Sequence, residues 1–146
     1  MKVTLEAIKA AKKEILIENA YFSDDNIIKE LIKARQRGVD VKVILPYWGN
    51  HNIMNSSNMV TANNLIKSGI KVYLYPIMNH VKASIFDGFA MVGTANYDKF
   101  SMRVNQEINF CFWDKETVET LKKSLFEKDI DKSMRLTGEF QLNFED

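Results

Sequence analysis

The sequence predicts a single α/β domain, and two observations carry this prediction. A strand-like apolar stretch, a helix-like stretch and a second strand follow one another twice in the first half of the chain. Such units usually join parallel strands by right-handed crossovers, which is typical of α/β architecture. A chain of 146 residues can also bury most of the surface that it exposes when unfolded, so we expect one domain over residues 1–146 without a linker.

The first strand–helix–strand unit is preceded by residues 4–13, which have the composition of a helix. Residues 14–19, EILIEN, form a short apolar strand candidate. Ser23 or Asp24 can cap the following helix, whose apolar residues recur at helical spacing. Gly38 ends that helix before the strand VDVKVIL.

The second unit begins with the Asn- and Ser-rich loop YWGNHNIMNSSNM, followed by a helix at 58–68 that Gly69 ends before the strand IKVYLY.

A hairpin is predicted over 80–92, because Asp87-Gly88 is a strong signal for a two-residue turn. GTANYDKFSMRV is then a connection and NQEINFCFW another strand, and a final helix at about 115–128 ends near KDIDKS. The closing LTGEFQLNFED is too short to classify.

Composition narrows the function classes. The formal net charge is +1, which weighs against a dedicated DNA or RNA binder, although a local basic face is compatible with it. The single cysteine, Cys111, lies in the apolar run INFCFW and is predicted to be a small core residue. There is no signal-peptide pattern and no stretch of the roughly 18 apolar residues that a membrane span needs. We therefore expect a cytoplasmic protein, or one peripheral to the inner face of the membrane.

His80 and Lys82 are the first candidates for chemistry. Residues two apart on a strand point to the same face, so these two side chains are expected to project together. A histidine beside a fixed positive charge suits an anionic phosphate group, although the same spacing also occurs on ordinary strand surfaces. Asp87 has the opposite parity and is expected to build the turn. No His, Cys and carboxylate cluster at metal-ligand spacing appears, so no metal site is predicted.

Two later segments contain residues that can assist this pair. Gly93-Thr94-Ala95-Asn96 supplies a turn with hydroxyl and amide donors for phosphate oxygens, although such residues also make ordinary turns. Asn105, Glu107 and Asn109 share one face of the next predicted strand. Glu107 can orient His80 by accepting a hydrogen bond from one ring nitrogen, while a half-exposed strand would show the same alternation.

The combined pattern resembles the HKD signature of the phospholipase D superfamily: His80-x-Lys82-(four residues)-Asp87, then Gly93-Thr94-x-Asn96, then Asn105-x-Glu107. The surrounding segments resemble those around the second HKD motif of bacterial cardiolipin synthases, and the resemblance covers nearly the whole chain. It implies a phospholipase D-like fold, with a mixed β-sheet flanked by helices on both faces. The segments are AYFSDDNIIKELIKARQRGVDVKVILP, IKSGIKVYLYP, GTANYDKFSMRVNQEINF and LFEKDIDKS.

The resemblance also implies a two-step mechanism. One histidine attacks the phosphodiester phosphorus to form a covalent phosphohistidine, a second protonates the leaving alcohol, and water or another alcohol then releases the phosphoryl group. His80 would be the nucleophile or the acid, and Asp87 is carried over as a motif residue for which we expect a structural role. No metal or other cofactor is implied. The implied catalytic residues are His80, Lys82, Asp87, Asn96 and Glu107, with Lys82, Thr94 and Asn96 binding the substrate phosphate.

The family site uses two HKD motifs, whereas this chain carries one. His51 lies in a loop that lacks Lys and Asp at motif spacing, so it is a weak candidate for the missing histidine. We therefore expect a homodimer, or a partner that carries the other HKD motif. The resemblance does not extend to the N-terminal half of cardiolipin synthases, which carries membrane-spanning helices.

Three functions are compatible with these observations. The preferred one is hydrolysis or phosphatidyl transfer on a phospholipid or other phosphodiester substrate, because of the resemblance to cardiolipin synthases and the near-neutral charge; peripheral contact with a membrane would accompany it. The first alternative is a metal-independent endonuclease of the single-motif type, with nucleic acid as substrate. The second is a non-catalytic or truncated half domain that binds a partner.

Overall fold

The fold is described here from a computed structural model, which covers residues 2–47, 56–77, 81–93 and 109–138. These residues form a mixed seven-stranded sheet with helices on both faces, which confirms the predicted α/β class. The strands are β1 (Glu14–Asn19), β2 (Asp40–Pro46), β3 (Lys71–Tyr75), β4 (Lys82–Phe86), β5 (Phe89–Gly93), β6 (Asn109–Phe112) and β7 (Met134–Arg135). The helices are α1 (Lys2–Ala10), α2 (Asp25–Gln36), α3 (Ser56–Lys67), α4 (Lys115–Leu121) and α5 (Lys128–Lys132), with a π-helical segment at Lys122–Glu127.

The strand order across the sheet is β6-β5-β4-β1-β2-β3-β7. The three strands β1, β2 and β3 run parallel, because α2 and α3 each return the chain to the starting edge of the sheet. The other neighbouring pairs are antiparallel. The two predicted strand–helix–strand units and the predicted hairpin between β4 and β5 are therefore confirmed.

Helix α2 shows how local sequence sets the element boundaries. The Asp24 side chain accepts hydrogen bonds from the backbone N–H groups of Asn26 and Ile27, at 2.9 and 3.1 Å, and so caps the helix as predicted. Ile27 and Leu31 lie on the inward face and are fully buried. Gly38 follows the helix with φ of 95°, a left-handed conformation that glycine adopts without steric cost.

Hydrophobic cores lie on both faces of the sheet. Alternate residues of β1 point to opposite faces, so Ile15 and Ile17 pack against α1, α2 and α3, whereas Leu16 packs on the opposite side. There Val118 of α4 and Phe126 of the π-helical segment cover the sheet. Full burial of each such aliphatic or aromatic side chain contributes about 1.5–3 kcal/mol, which fixes the helices on both faces.

The C-terminal part of the structure departs from the sequence prediction. The final helix was expected at about 115–128, ending near KDIDKS, and helical structure ends within that segment at Lys132, after a π-helical segment that the sequence did not predict. Met134 and Arg135 then pair with Leu74 and Tyr73 of β3, which adds a strand that the sequence did not predict. A strand of two residues has no periodicity that a sequence pattern can reveal.

Strand β6 agrees in part with its prediction. The structure describes it from Asn109 onward, while 105–108 and most of the connection before it lie outside the described residues. Cys111 is half-buried and packs against the core on the α1 side. Its prediction as a small core residue is therefore right in location, although β6 is an edge strand and leaves the residue partly exposed.

Candidate functional site

Four adjacent strands, β6, β5, β4 and β1, begin or end along one side of the sheet, at the level of Lys82. Lys82 at the start of β4 is paired with Asn19 at the end of β1. Gly93 at the end of β5 is paired with Asn109 at the start of β6, and the Ala83–Val92 pair places Gly93 next to Lys82. We call this row of Asn19, Lys82, Gly93 and Asn109 the site edge, because every predicted site residue except Asp87 belongs to it or lies within three residues of it along the chain.

The structure describes two of the six predicted site residues. Lys82 is half-buried at the site edge, and Asp87 lies in the β4–β5 turn. The remaining candidates, His80, Thr94, Asn96 and Glu107, lie outside the described residues, as does His51.

Asn19 is a buried polar residue beside Lys82 that the sequence pattern did not single out. Residues directly opposite each other in an antiparallel pair project to the same face, so Asn19 and Lys82 share a face of the sheet. Asn19 is 2% exposed, and its side-chain oxygen accepts a hydrogen bond from the Tyr21 N–H at 3.3 Å. The strand β1 therefore brings a buried amide group to the site edge.

The loop after β1 is held in place by two buried side chains of α3. The Asn58 amide nitrogen donates to the Ala20 carbonyl oxygen, and its amide oxygen accepts from the Phe22 N–H, both at 2.9 Å. The Thr61 hydroxyl donates to the Phe22 carbonyl oxygen at 2.6 Å. These contacts satisfy buried backbone groups and tie the loop at the site edge to α3.

Glu18 is a second polar group that sequence reasoning missed. It is 3% exposed and is paired with Ala83, so it lies one residue from the site edge on the face opposite to Lys82. A small space lined by Tyr75 and Val81 adjoins it. Carboxyl groups are rarely buried this deeply, and the burial of Glu18 beside the site edge makes it a candidate for a role there.

Asp87 lies at the other end of β4. Its carboxylate accepts hydrogen bonds from the backbone N–H groups of Lys12, Lys13 and Glu14, at 2.8, 2.9 and 2.9 Å. With a strand rise of about 3.3 Å per residue, the Asp87 backbone is roughly 16 Å from that of Lys82. These contacts agree with the structural role expected for Asp87, at the end of β4 opposite to Lys82, while its place among the catalytic residues stays a prediction.

The Asp87 backbone has φ of 53°, in the left-handed region that residues other than glycine rarely adopt. Burial alone would raise the pKa of the Asp87 carboxyl group. The N–H donors of Glu14, Lys12 and Lys13 and the positive charge of Lys13 outweigh that effect, so its pKa is lowered from the ordinary value of 3.8. The three donors therefore stabilise the ionised carboxylate in a strained turn.

Glu14 links the Asp87 turn to the π-helical segment, which covers the face of the sheet opposite to α1. Its carboxylate forms an ion pair with Lys122 of the π-helical segment, with 2.6 Å between Oε1 and Nζ. The hydrogen bond to Glu14 raises the pKa of Lys122, while partial burial acts against this increase. Glu14 thus contacts Asp87 through its backbone and Lys122 through its side chain.

No helix in the part of the chain that the structure describes is long and apolar enough to cross a membrane.

Comparison with known proteins identifies relatives of the sequence. A family model described as "Cardiolipin synthase, PLD-like domain" matches residues 4–130. Cardiolipin synthase from Listeria monocytogenes serotype 4a is 38% identical over 138 residues, which cover 92% of this chain. Cardiolipin synthase 1 from Staphylococcus aureus strain COL is 34% identical over 139 residues, covering 93% of the chain. The match spans 28% of the length of each of these relatives.

Solved structures show the same fold. Nuc from Salmonella typhimurium, described as a phospholipase D family member, superposes with a TM-score of 0.83 at 24% sequence identity. The superposition covers 92% of this chain and 89% of the Salmonella chain. NucT from Helicobacter pylori gives a TM-score of 0.75 at 23% identity, covering 92% of this chain and 89% of that one.

Proposed function

The chain belongs to the cardiolipin synthase family of phospholipase D-like domains, and from this membership we propose that it cleaves phosphodiester bonds in phospholipids through a covalent phosphohistidine. The nucleophile is His80, and a second HKD motif completes the site. Water or an alcohol accepts the phosphatidyl group.

The observation that carries the proposal is the shared position of the strand ends. His80 precedes Lys82 by two residues, and Thr94 follows Gly93 directly. Each residue of extended chain spans at most about 3.6 Å, and neighbouring strands lie roughly 4.8 Å apart. Residues attached within a few positions of the site edge can therefore reach one phosphate group. Asn96 and Glu107, which follow Gly93 and precede Asn109, meet the same condition.

In the first step, one imidazole nitrogen of His80 attacks phosphorus, a P–N bond forms and the P–O bond to the leaving alcohol breaks. The histidine of the second motif donates a proton to that alcohol. In the second step, water or another alcohol gives its proton to this histidine and attacks phosphorus, and the P–N bond breaks. Lys82, Thr94 and Asn96 hold the phosphate oxygens, and Glu107 orients the His80 ring.

A second copy of this chain is the simplest source of the second motif. Two copies related by a two-fold axis would each contribute His80 and Lys82 to one site, as an isologous interface requires. The matched relatives are much longer than this chain, so a different chain that carries an HKD motif is the other source. Measuring the molecular mass of the purified chain in solution together with its activity distinguishes a second copy of this chain from a different chain as the source.

The names of the matched relatives and the near-neutral net charge of this chain favour phospholipid as the substrate class. The matched curated relatives are cardiolipin synthases, and the net charge of +1 lacks the basic excess that usually accompanies nucleic-acid binding. Asp87 has no chemical step in this proposal. It holds the start of β1 against the end of β4.

The test compares the two histidines of the chain, His80→Ala and His51→Ala, on vesicles of phosphatidylglycerol and on single-stranded and duplex DNA. We expect lipid turnover by the unchanged chain and by His51→Ala, loss of at least a hundredfold in His80→Ala, and no effect of EDTA. Quenching with radiolabelled lipid should trap an acid-labile label on the protein when His80 is present.

Several outcomes would contradict the proposal. Full activity of His80→Ala removes this residue from the chemistry, and inhibition by EDTA contradicts a metal-free mechanism. Cleavage of DNA alone establishes the endonuclease alternative. A chain that is monomeric at high concentration and cleaves neither substrate is a half domain whose role is to bind a partner.

A further inference from the structure

Asn19 lies beside Lys82, which is the one residue of the proposed phosphate site that the structure describes. The two residues are directly opposite each other in the antiparallel pair of β1 and β4. Side chains at such positions project to the same face of the sheet, with Cβ atoms about 4.5–5.5 Å apart. Asn19 is 2% exposed and Lys82 is half-buried. The buried amide group is therefore within reach of the aliphatic stem of the lysine.

The neighbour of Lys82 on its other side has no side chain, because the pairing of β4 with β5 places Gly93 there. The next pair on the same face of β1 and β4 is formed by Ile17 and Ser84, which are buried and uncharged. Within β1, β4 and β5, the strand pairing thus places no charged side chain next to Lys82 on its face. Asn19 supplies the polar group at the level of the lysine.

The loop that follows β1 sets the orientation of the Asn19 amide. Its Oδ1 accepts a hydrogen bond from the Tyr21 N–H at 3.3 Å, which joins a side chain to the backbone two residues on. Tyr21 lies between Ala20 and Phe22, whose backbones are hydrogen-bonded to the Asn58 side chain at 2.9 Å. Since the backbone on both sides of Tyr21 is tied to α3, the direction of the amide is fixed as well.

We propose that Asn19 is a positioning residue of the phosphate site and acts through Lys82. This inference rests on the proposed function, in which Lys82 holds the phosphate oxygens. The fixed amide packs against the lysine stem and directs the ammonium group towards the strand ends. It adds no negative charge that would compete with phosphate for that ammonium group. Ordering a long side chain before the substrate arrives also reduces the conformational entropy that is lost on binding.

The other role open to Asn19 is a local one, in which it only closes the turn after β1. An aspartate would accept the Tyr21 N–H equally well, since both residue types form such turns. A carboxylate at this position would, however, lie close to the Lys82 ammonium group and attract it strongly. The two roles therefore predict opposite results for Asn19→Asp, which is harmless in a local role and harmful in a positioning role.

The experiment first measures the affinity of the chain for inorganic phosphate by isothermal titration calorimetry. We expect affinity to fall about fivefold in Asn19→Ala, which leaves the lysine less ordered, and at least tenfold in Asn19→Asp. Asn64→Asp is the matched control, because it adds the same charge at an exposed position of α3, and it should bind phosphate unchanged. Melting temperatures check the fold. Asn19→Ser keeps an acceptor for the Tyr21 N–H and replaces Asn19→Ala if the alanine variant does not fold.

A second measurement reads the lysine directly. The rate at which acetic anhydride labels Lys82 is measured by mass spectrometry, relative to the exposed Lys9 in the same protein. We expect the relative rate to fall at least fivefold in Asn19→Asp, because a lysine amine paired with a carboxylate is held in its unreactive charged form. Asn64→Asp should leave the rate unchanged.

Phosphate affinity in Asn19→Asp or in the neutral variant equal to that of the unchanged chain overturns the inference, and so does absence of phosphate binding by the unchanged chain. Weaker phosphate binding in Asn19→Asp with an unchanged labelling rate of Lys82 also overturns it, because the new carboxylate would then repel phosphate without acting through the lysine. Failure of the proposed function is read separately, from absence of phosphatidylglycerol turnover by a chain that still binds phosphate.

Discussion

Asp87 and Glu14 form two hydrogen bonds in opposite directions. The Glu14 N–H donates to the Asp87 carboxylate at 2.9 Å, and the Asp87 N–H donates to the Glu14 carbonyl oxygen at 3.0 Å. The first joins a turn side chain to the start of β1, and the second continues the pairing between β1 and β4. Asp87 thereby connects the residues before β1, the first of the three parallel strands, with the strand that begins at Lys82.

Asp87→Ala should lower the free energy of unfolding by about 2–4 kcal/mol. The substitution removes the acceptor of three N–H groups, and it leaves an alanine at a backbone φ of 53°, which alanine rarely adopts. Asp87→Asn retains one acceptor oxygen and tolerates this backbone conformation, so it should cost about half as much. Urea unfolding of the three proteins measures both values.

The same pair of variants tests whether Asp87 takes part in chemistry. With a structural role, folded Asp87→Asn protein should keep kcat within about threefold at a temperature well below its melting point. A loss of a hundredfold in fully folded protein would place Asp87 in the reaction after all.

The stabilising effect of Asp87 should depend on pH. Its pKa is lower in the folded protein than the ordinary value of 3.8, so its contribution is complete above that value and disappears as pH falls through the folded-state pKa. The difference in unfolding free energy between the unchanged chain and Asp87→Asn should therefore be constant from neutral pH to about pH 5 and shrink below pH 3.8. A difference that grows on acidification would contradict the lowered pKa.

Asn58→Ala should destabilise the protein by about 2–4 kcal/mol, since the Ala20 carbonyl and the Phe22 N–H lose their side-chain partner. Asn64→Ala is the matched control, because Asn64 is exposed on the same helix and should change stability by less than about 0.5 kcal/mol. Equal unfolding midpoints for the two variants would show that the loop does not depend on Asn58.

Lys82→Met should reduce kcat/KM on phosphatidylglycerol by about a hundredfold or more, because it removes the positive charge that stabilises the phosphoryl transition state. Lys82→Arg keeps the positive charge but replaces the ammonium group with a planar guanidinium group, so we expect an intermediate loss of kcat/KM. Lys9→Met, an exposed lysine in the last turn of α1, serves as the control. Unchanged turnover in Lys82→Met would remove the phosphate-binding role.

Mixing subunits tests whether two copies build one site. When unchanged chain and His80→Ala are mixed equally and allowed to exchange, random pairing leaves about one quarter of the dimers with two His80 residues. At constant total protein, activity should then fall to about one quarter. A fall to one half would show that each chain acts by itself.

Much of the fold could be predicted from the sequence where patterns are local. The strand at 14–19 and the cap at Asp24 were identified from apolar runs and a capping residue, and both are confirmed. The first helix was expected to reach 13 but ends at Ala10. Lys12 and Lys13 lie beyond it, with their N–H groups bonded to Asp87, and no local pattern reports so distant an acceptor.

The site was predicted from residue spacing and from a family resemblance, and both concern residues that are close along the chain. The alternation of β-strand side chains made Asp87 a turn residue, and the structure places it there. The same reasoning passed over Asn19 and Asn58, because their roles arise from the pairing of distant strands and helices. The assignments of His80, Thr94, Asn96 and Glu107 stay predictions.

The Asp87 turn also determines on which face of the sheet Lys82, at the start of β4, lies. A shift of β4 by one residue against β1 would turn every one of its side chains to the opposite side of the sheet, and Lys82 with them. The carboxylate at Asp87 reaches all three N–H groups in one register, so a shifted strand would lose these bonds. A carboxylate at the far end of β4 would thus fix the face of the sheet on which Lys82 lies.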